Sequence, residues 1–149
     1  MILLTHQAFD PGEALTAFSR GRLETGAVAS FLGLARGERG AATALELEDY
    51  PEFTLAAIEA MAAGASRRFG LQDVTIIHRL GAIAPGEAIV LVLTAAAHRR
   101  AAFEACDYLM DYLKSRAPLW KREHGPEGPR WIEPTPRDLA DAARWDSNP

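Results

Sequence analysis

Lysine is nearly missing from this 149-residue chain: Lys114 and Lys121 stand alone against fourteen arginines. The net charge is −4 and the sequence pI about 5.6, which excludes the broadly basic surface of a protein that binds nucleic acid or membranes by charge alone. Cysteine is scarcer still. With Cys106 by itself, neither an internal disulfide nor a thiolate metal site can form, and its place in a helical apolar pattern reads as a small buried hydrophobe. No apolar run reaches transmembrane length, and Met1-Ile2-Leu3-Leu4-Thr5-His6 lacks the basic and long apolar regions of a signal peptide. The expected location is therefore cytoplasmic. Metal-ligand spacings such as H-x-x-x-H or C-x-x-C are absent, and Gly33, Gly37 and Gly40 lack the spacing of a P-loop or dinucleotide fingerprint. No metal and no cofactor of its own are expected.

What remains is enough for one domain, residues 1–149, with 48% hydrophobic and 24% charged residues. Residues 2–6 read as a short strand, and Pro11-Gly12-Glu13 opens a helix to about Arg20. Gly26 to Leu32 reads as a strand entering the glycine-punctuated basic loop 33–40, and Ala44-Leu45-Glu46-Leu47-Glu48 alternates like a half-buried strand, so the two are expected to form a hairpin. A long helix is predicted from Tyr50-Pro51 to about Phe69, with Leu55, Ile58, Ala62 and Ala65 on one stripe. Strands follow at 73–80 and, after Pro85-Gly86, at 88–93. A second long helix, about Arg100 to Arg116, carries Ala102, Cys106, Leu109 and Leu113 on one face and stops at Pro118. The pattern is that of an α+β or α/β sandwich, one sheet with helices on a face. Beyond about residue 133 a flexible tail is expected, in which Arg137 or Arg144 either reaches a neighbouring subunit or is solvated.

The scarce lysines fall together in Lys114-Ser115-Arg116-Ala117-Pro118-Leu119-Trp120-Lys121-Arg122-Glu123. An ammonium, unlike a guanidinium, can give up its proton near neutral pH when its surroundings disfavour charge, so the pair marks a candidate reactive site. From His98 to His124 six Arg/Lys face four acids, a local +2 that leaves −6 for the rest. One reading is a focused anion site; the other is a solvated helix face of mixed charge. His98-Arg99 opens the second long helix and Lys114 closes it, some 24 Å apart at about 1.5 Å per residue. One helix cannot bring both to one ligand. Either the site is extended, or a second copy supplies one set. Lys114 and Lys121 can approach each other because Pro118 lets the chain turn back.

The ordered segments Gly26-Ala27-Val28 through Phe31-Leu32-Gly33 to Arg36, Leu47-Glu48-Asp49-Tyr50-Pro51, Ile77-His78-Arg79-Leu80-Gly81, Pro85-Gly86-Glu87, Ala97-His98-Arg99 and Asp111-Tyr112-Leu113-Lys114 through Lys121-Arg122-Glu123 resemble the large catalytic subunit of molybdopterin synthase. The resemblance covers about residues 26–132 and implies an α/β hammerhead with an additional small antiparallel sheet. It implies a sulfurtransferase of molybdenum cofactor biosynthesis, a homodimer within a heterotetramer. Each copy would bind a small ubiquitin-like sulfur carrier whose C-terminal Gly-Gly thiocarboxylate enters the site. Two sulfurs would pass to cyclic pyranopterin monophosphate, giving the dithiolene of molybdopterin.

By the same resemblance Leu34, Ala35, Arg36, His98, Arg99, Lys114, Lys121, Arg122 and Glu123 are substrate-contacting positions, and among them the chemistry of the ammonium makes Lys114 and Lys121 the expected catalytic pair. The residue types suit two anionic reactants. Arg36, Arg99 and Arg122 would grip phosphate or thiocarboxylate, His98 would donate to phosphate or move a proton, Lys114 would transfer a proton and Lys121 would stabilise developing charge. Leu34 offers packing or backbone contact alone. His78-Arg79 also fits the resemblance but, ending an apolar strand, reads as structural; His6 and His124 read as surface histidines. Trp120, Trp131 and Trp145 line a pocket or pack the core or an interface. Outside the resemblance stand two other readings: a non-catalytic α+β module whose basic pocket holds a partner's acidic tail, and, more weakly, an RNA-binding domain.

Overall fold

The computed structural model describes residues 1–37 and 44–147; part of the predicted basic loop lies outside them. The elements are β1 (Ile2–Thr5), α1 (Pro11–Ser19), β2 (Ala27–Leu34), β3 (Ala44–Asp49), α2 (Phe53–Phe69), β4 (Asp73–Arg79), β5 (Gly81–Ile83), β6 (Ala88–Ala96), α3 (Arg99–Ser115), β7 (Leu119–Gly125), β8 (Gly128–Ile132) and α4 (Pro136–Ala143). They form a mixed α+β domain with two four-stranded sheets, in the orders β1-β4-β6-β2 and β5-β3-β7-β8. Only the β1–β4 pair, with Leu4 opposite His78, is parallel among the pairs described.

Strand alternation decides which helix covers which face of the larger sheet. Val74 and Ile76 of β4 and Val90 and Val92 of β6 meet Ile58, Ala62 and Ala65 of α2 and Ala102, Leu109 and Leu113 of α3. The intervening Ile77, Leu91 and Leu93 point the other way, onto Phe18 of α1. The expectation of helices on one face is thus corrected to both faces. That is why β6 reads as an unbroken apolar run: a strand covered on each side has no solvent face to mark with polar residues.

The expected β2–β3 hairpin does not form. β2 pairs antiparallel with β6, and β3 lies in the second sheet between β5 and β7. Alternation identified each strand, but pairing is a long-range choice, and β6 offered β2 the longer apolar partner. The smaller sheet has its own small core of Ala35, Leu47 and Ile83. Its strands β5, β7 and β8 were not separately legible: β5 is three residues long, and the Pro126–Pro136 stretch carries β8, which pairs back on β7 in a hairpin closing with Gly125 opposite Gly128.

Two further details position the chain around α3. Helix α2 begins at Phe53, two residues after Pro51, and its buried Thr54 hydroxyl donates to the Pro118 carbonyl at 2.8 Å while accepting from the Tyr50 amide at 2.9 Å. This ties the start of α2 to the link between α3 and β7. The segment expected as a tail carries α4, capped by a reciprocal Thr135–Asp138 box. Beyond it, Trp145 packs edge-on against Phe69 and Tyr108 and donates to Asp111 at 2.7 Å, and Arg144 pairs with Asp107 and Asp111 at 2.6 and 2.7 Å.

Candidate functional site

Helix α3 ends with Lys114 in its last turn, the chain reverses through Pro118, and β7 returns along the small sheet. Alternation on β7 then points Leu119, Lys121 and Glu123 to one side, where Lys121 comes beside Lys114. Between them opens a cavity of about 450 Å³, walled also by Leu34, Ala35 and Arg36 from the end of β2 and by Thr135 and Asp138 from the start of α4. A second recess of about 420 Å³ shares Arg36, Lys114 and Lys121 and is lined also by His78.

The β2 end of the wall is held by backbone geometry. The β2–β6 register shifts between Gly33 and Leu34, and a Cβ on Gly33 would lie 2.8 Å from a Val90 methyl, so a larger residue there would have to displace Val90. Past the bend, the Ala35 amide donates to the Glu87 carbonyl at 2.9 Å and the Ala35 carbonyl accepts from the Gly86 amide at 2.7 Å. The Pro85-Gly86 turn thus carries Arg36 to the cavity mouth.

Electrostatically the site is cationic and partly dry. Burial, then the charge of Lys114, pull the Lys121 ammonium down to about 8, against an opposing pull from Asp138. Burial likewise lowers His78 to about 4, with Lys121 and Lys114 acting in the same direction, so its ring is neutral at physiological pH. Asp138 is held below its ordinary value mainly by its Thr135 hydrogen bond, and both lysines favour its charged form. Glu123 is bridged to Arg130 at 3.1 Å. A half-buried ammonium pulled down to about 8, beside further cations in an open cavity, is fit to bind anions and to move a proton. Among the described residues no group of three or more His, Cys, Asp or Glu is gathered to hold a metal ion.

Residues 4–116 match the family model of the MoaE protein. This chain belongs to the MoaE family. It is 72% identical, over 98% of its length and 97% of the relative's, to the molybdopterin synthase catalytic subunit of Caulobacter vibrioides. A solved molybdopterin biosynthesis MoaE protein from Burkholderia ambifaria superposes with a TM-score of 0.84 at 41% identity, covering 98% of this chain and 97% of that one. A complex of subunits 1 and 2 of the molybdopterin-converting factor from Helicobacter pylori shares the fold, with a TM-score of 0.74 at 22% identity and 91% of each chain covered. Membership places the chain among the molybdopterin synthase catalytic subunits, enzymes of molybdenum cofactor biosynthesis.

Against this MoaE frame, the structure gathers Leu34, Ala35, Arg36, Lys114, Lys121 and Glu123 around one cavity. Ala35 is buried, so it contributes wall and backbone. Arg122 is not brought in: it lies on the opposite face of β7, 2.9 Å from Glu46, 3.3 Å from Glu48 and stacked over Trp131. His98 and Arg99 stand at the far end of α3, beside a separate hollow with Gly26 and Phe103. Gly26 is obligatory there, because a Cβ would sit 2.1 Å from the Ala97 carbonyl oxygen.

Four polar cavity residues, His78, Glu133, Thr135 and Asp138, were not read as such from the sequence of this MoaE chain. His78 was set aside as structural, yet it follows Val74 and Ile76 at period two and so faces α3, a signal that was available. Thr135 and Asp138 sit in a segment expected to be a tail, and a T-x-x-D capping pattern was the cue. His124 is more than a surface histidine, since its Nε2 meets Glu46 at 2.6 Å. Cys106 is buried, its thiol pushed up to about 11 by desolvation, which suits packing and not nucleophilic attack. No helix among the described residues is long and apolar enough to cross a membrane.

Proposed function

We propose that the Lys114–Lys121 cavity is where sulfur passes from the C-terminal thiocarboxylate of a small ubiquitin-like carrier to cyclic pyranopterin monophosphate, building the molybdopterin dithiolene. One observation carries this reading: the chain's two lysines, on different elements, converge on one partly buried cavity with Arg36 at its mouth. Two anions must share that cavity, and three cations offset their mutual repulsion. In each transfer the thiocarboxylate sulfur bonds to a carbon of the pterin side chain, and water then cleaves the carrier's acyl–sulfur bond, so the tail leaves as a carboxylate and protons move at the attacked carbon and the attacking water. Lys121, titrating at about 8, is the group suited to that proton, with Lys114 as its electrostatic partner. This exchanges the roles first expected for the two lysines.

The carrier reading is supported by the Helicobacter pylori relative, whose structure is a complex of two subunits. The distance along α3 supports a homodimer in which His98 and Arg99 of a second copy serve the phosphate. In a reconstituted assay with thiocarboxylated carrier and pyranopterin, Lys114→Ala is expected to keep fold and carrier binding but lose dithiolene formation; wild-type turnover in that variant overturns the assignment. If the wild-type protein binds the carrier tail yet never converts pyranopterin, a non-catalytic tail-binding module is the correct reading. Co-refolding Lys114→Ala with Arg99→Ala chains should restore turnover to roughly a quarter of wild type if sites are shared across a two-fold dimer.

A further inference from the structure

His78 is 4% exposed, near the end of β4, and lines the recess shared with Lys114 and Lys121. Its Nδ1 lies 2.8 Å from the Arg79 carbonyl oxygen. A carbonyl only accepts, so Nδ1 carries the hydrogen and Nε2 bears the lone pair. Among the described residues the ring makes no other hydrogen bond, and Nε2 is not among the sealed, unpartnered polar atoms. A buried ring therefore offers one unclaimed acceptor to a cavity whose nearest charges are ammoniums.

We propose that His78 is a positioning residue of the sulfur-transfer site: its Nε2, unpaired in this structure, is the acceptor onto which the Lys121 ammonium turns, aiming that group at the anionic reactants. The inference rests on the sulfur-transfer reading for its consequence in turnover, but not for the contact itself. The choice of residue has a physical reason. A carboxylate at this depth would pair with Lys121 and cancel the field that attracts the anions, whereas a neutral imidazole orients the ammonium and leaves its charge in place. Desolvation keeps the ring neutral. The other charged groups facing Lys121 are Lys114 from α3, Arg36 beyond β2, Asp138 from α4, Glu133 after β8 and Glu123 on its own strand.

Because the chain has two lysines, selectively labelled lysine Cε signals give one resonance for each, and Lys114→Arg assigns them. Losing an acceptor removes support for the charged form, so in His78→Leu the Lys121 titration midpoint should fall by roughly one pH unit. An unchanged midpoint overturns the proposal, whatever the protein's activity. In the carrier-loaded assay His78→Leu should lower kcat by about tenfold with little change in KM, and move the basic limb of the profile to lower pH. His78→Gln, which can place an amide oxygen near the Nε2 position, should recover most of the loss. A profile identical to wild type overturns the positioning role, while absence of turnover in the wild type overturns the sulfur-transfer reading and leaves the lysine titration to decide the contact. Should both variants fail to fold, nitrogen-labelled wild-type protein still decides: a neutral ring protonated on Nδ1 down to about pH 5 is expected, and a ring protonated on Nε2 or charged at pH 7 overturns the proposal.

Discussion

On β7 the residues Lys121 and Glu123 face the cavity, whereas Arg122 and His124, one step along the same strand, face Glu46 on β3. Both sides carry cations, yet they meet opposite fates. Arg122 has two carboxylates within 3.3 Å and an indole beneath it, so its charge is already answered. Lys121 is desolvated with another ammonium for a neighbour, and Asp138 is the acid set against them. A cation becomes available for chemistry when burial takes away its water without supplying a full counter-charge. The pleat of one strand makes that division, sending alternate residues into two different electrostatic worlds.

The largest expected difference between the two faces is in turnover. Lys121→Ala should keep a folded protein, as judged by its circular dichroism, while sulfur transfer falls by about 10³-fold; Arg122→Ala should retain most of its activity. Equal losses on both faces would erase the distinction. Next is the pH dependence of stability. A lysine whose folded value lies near 8 and whose unfolded value lies near 10.5 binds fewer protons when folded between those limits, so folding stability should rise with pH across that window. Relative to Lys121→Met, the wild type should gain about 2–3 kcal/mol from pH 8 to 10.5 in denaturant titrations; parallel curves would show that Lys121 is not desolvated.

His78 makes the corresponding statement at acid pH. Its folded value of about 4 lies below the unfolded value of 6.5, so stability should fall as pH drops from 6.5 toward 4, and His78→Leu should flatten that fall. The smallest effect belongs to the outward face. Glu46→Gln removes the charge that Arg122 and His124 share, and should lower Tm slightly with kcat unchanged; a large loss of activity would mean that the outward face also touches a reactant.

Much of this was legible in residue order. The apolar spacing in α2 and α3, the run in β6 and the stop at Pro118 reflect local rules of period and backbone restriction, and the structure follows them. Lys114 and Lys121 stood out by rarity alone. The failures share one cause. Pairing β2 with β6 and not β3, covering the large sheet on both faces and folding 119–132 into β7 and β8 all depend on partners distant in sequence. The surroundings of Arg122 and His78 were illegible for the same reason: one is answered by Glu46, 76 residues away, and the other lines a recess with lysines from α3 and β7.

From its order of residues alone, this chain determines its helices, its principal strands and the singling out of its two lysines, because period, capping and composition act over a few neighbouring positions. Tertiary structure alone decides which cations are neutralised and which are desolvated beside like charge. Electric fields and desolvation act through space, between groups that only the finished fold brings within a few ångströms.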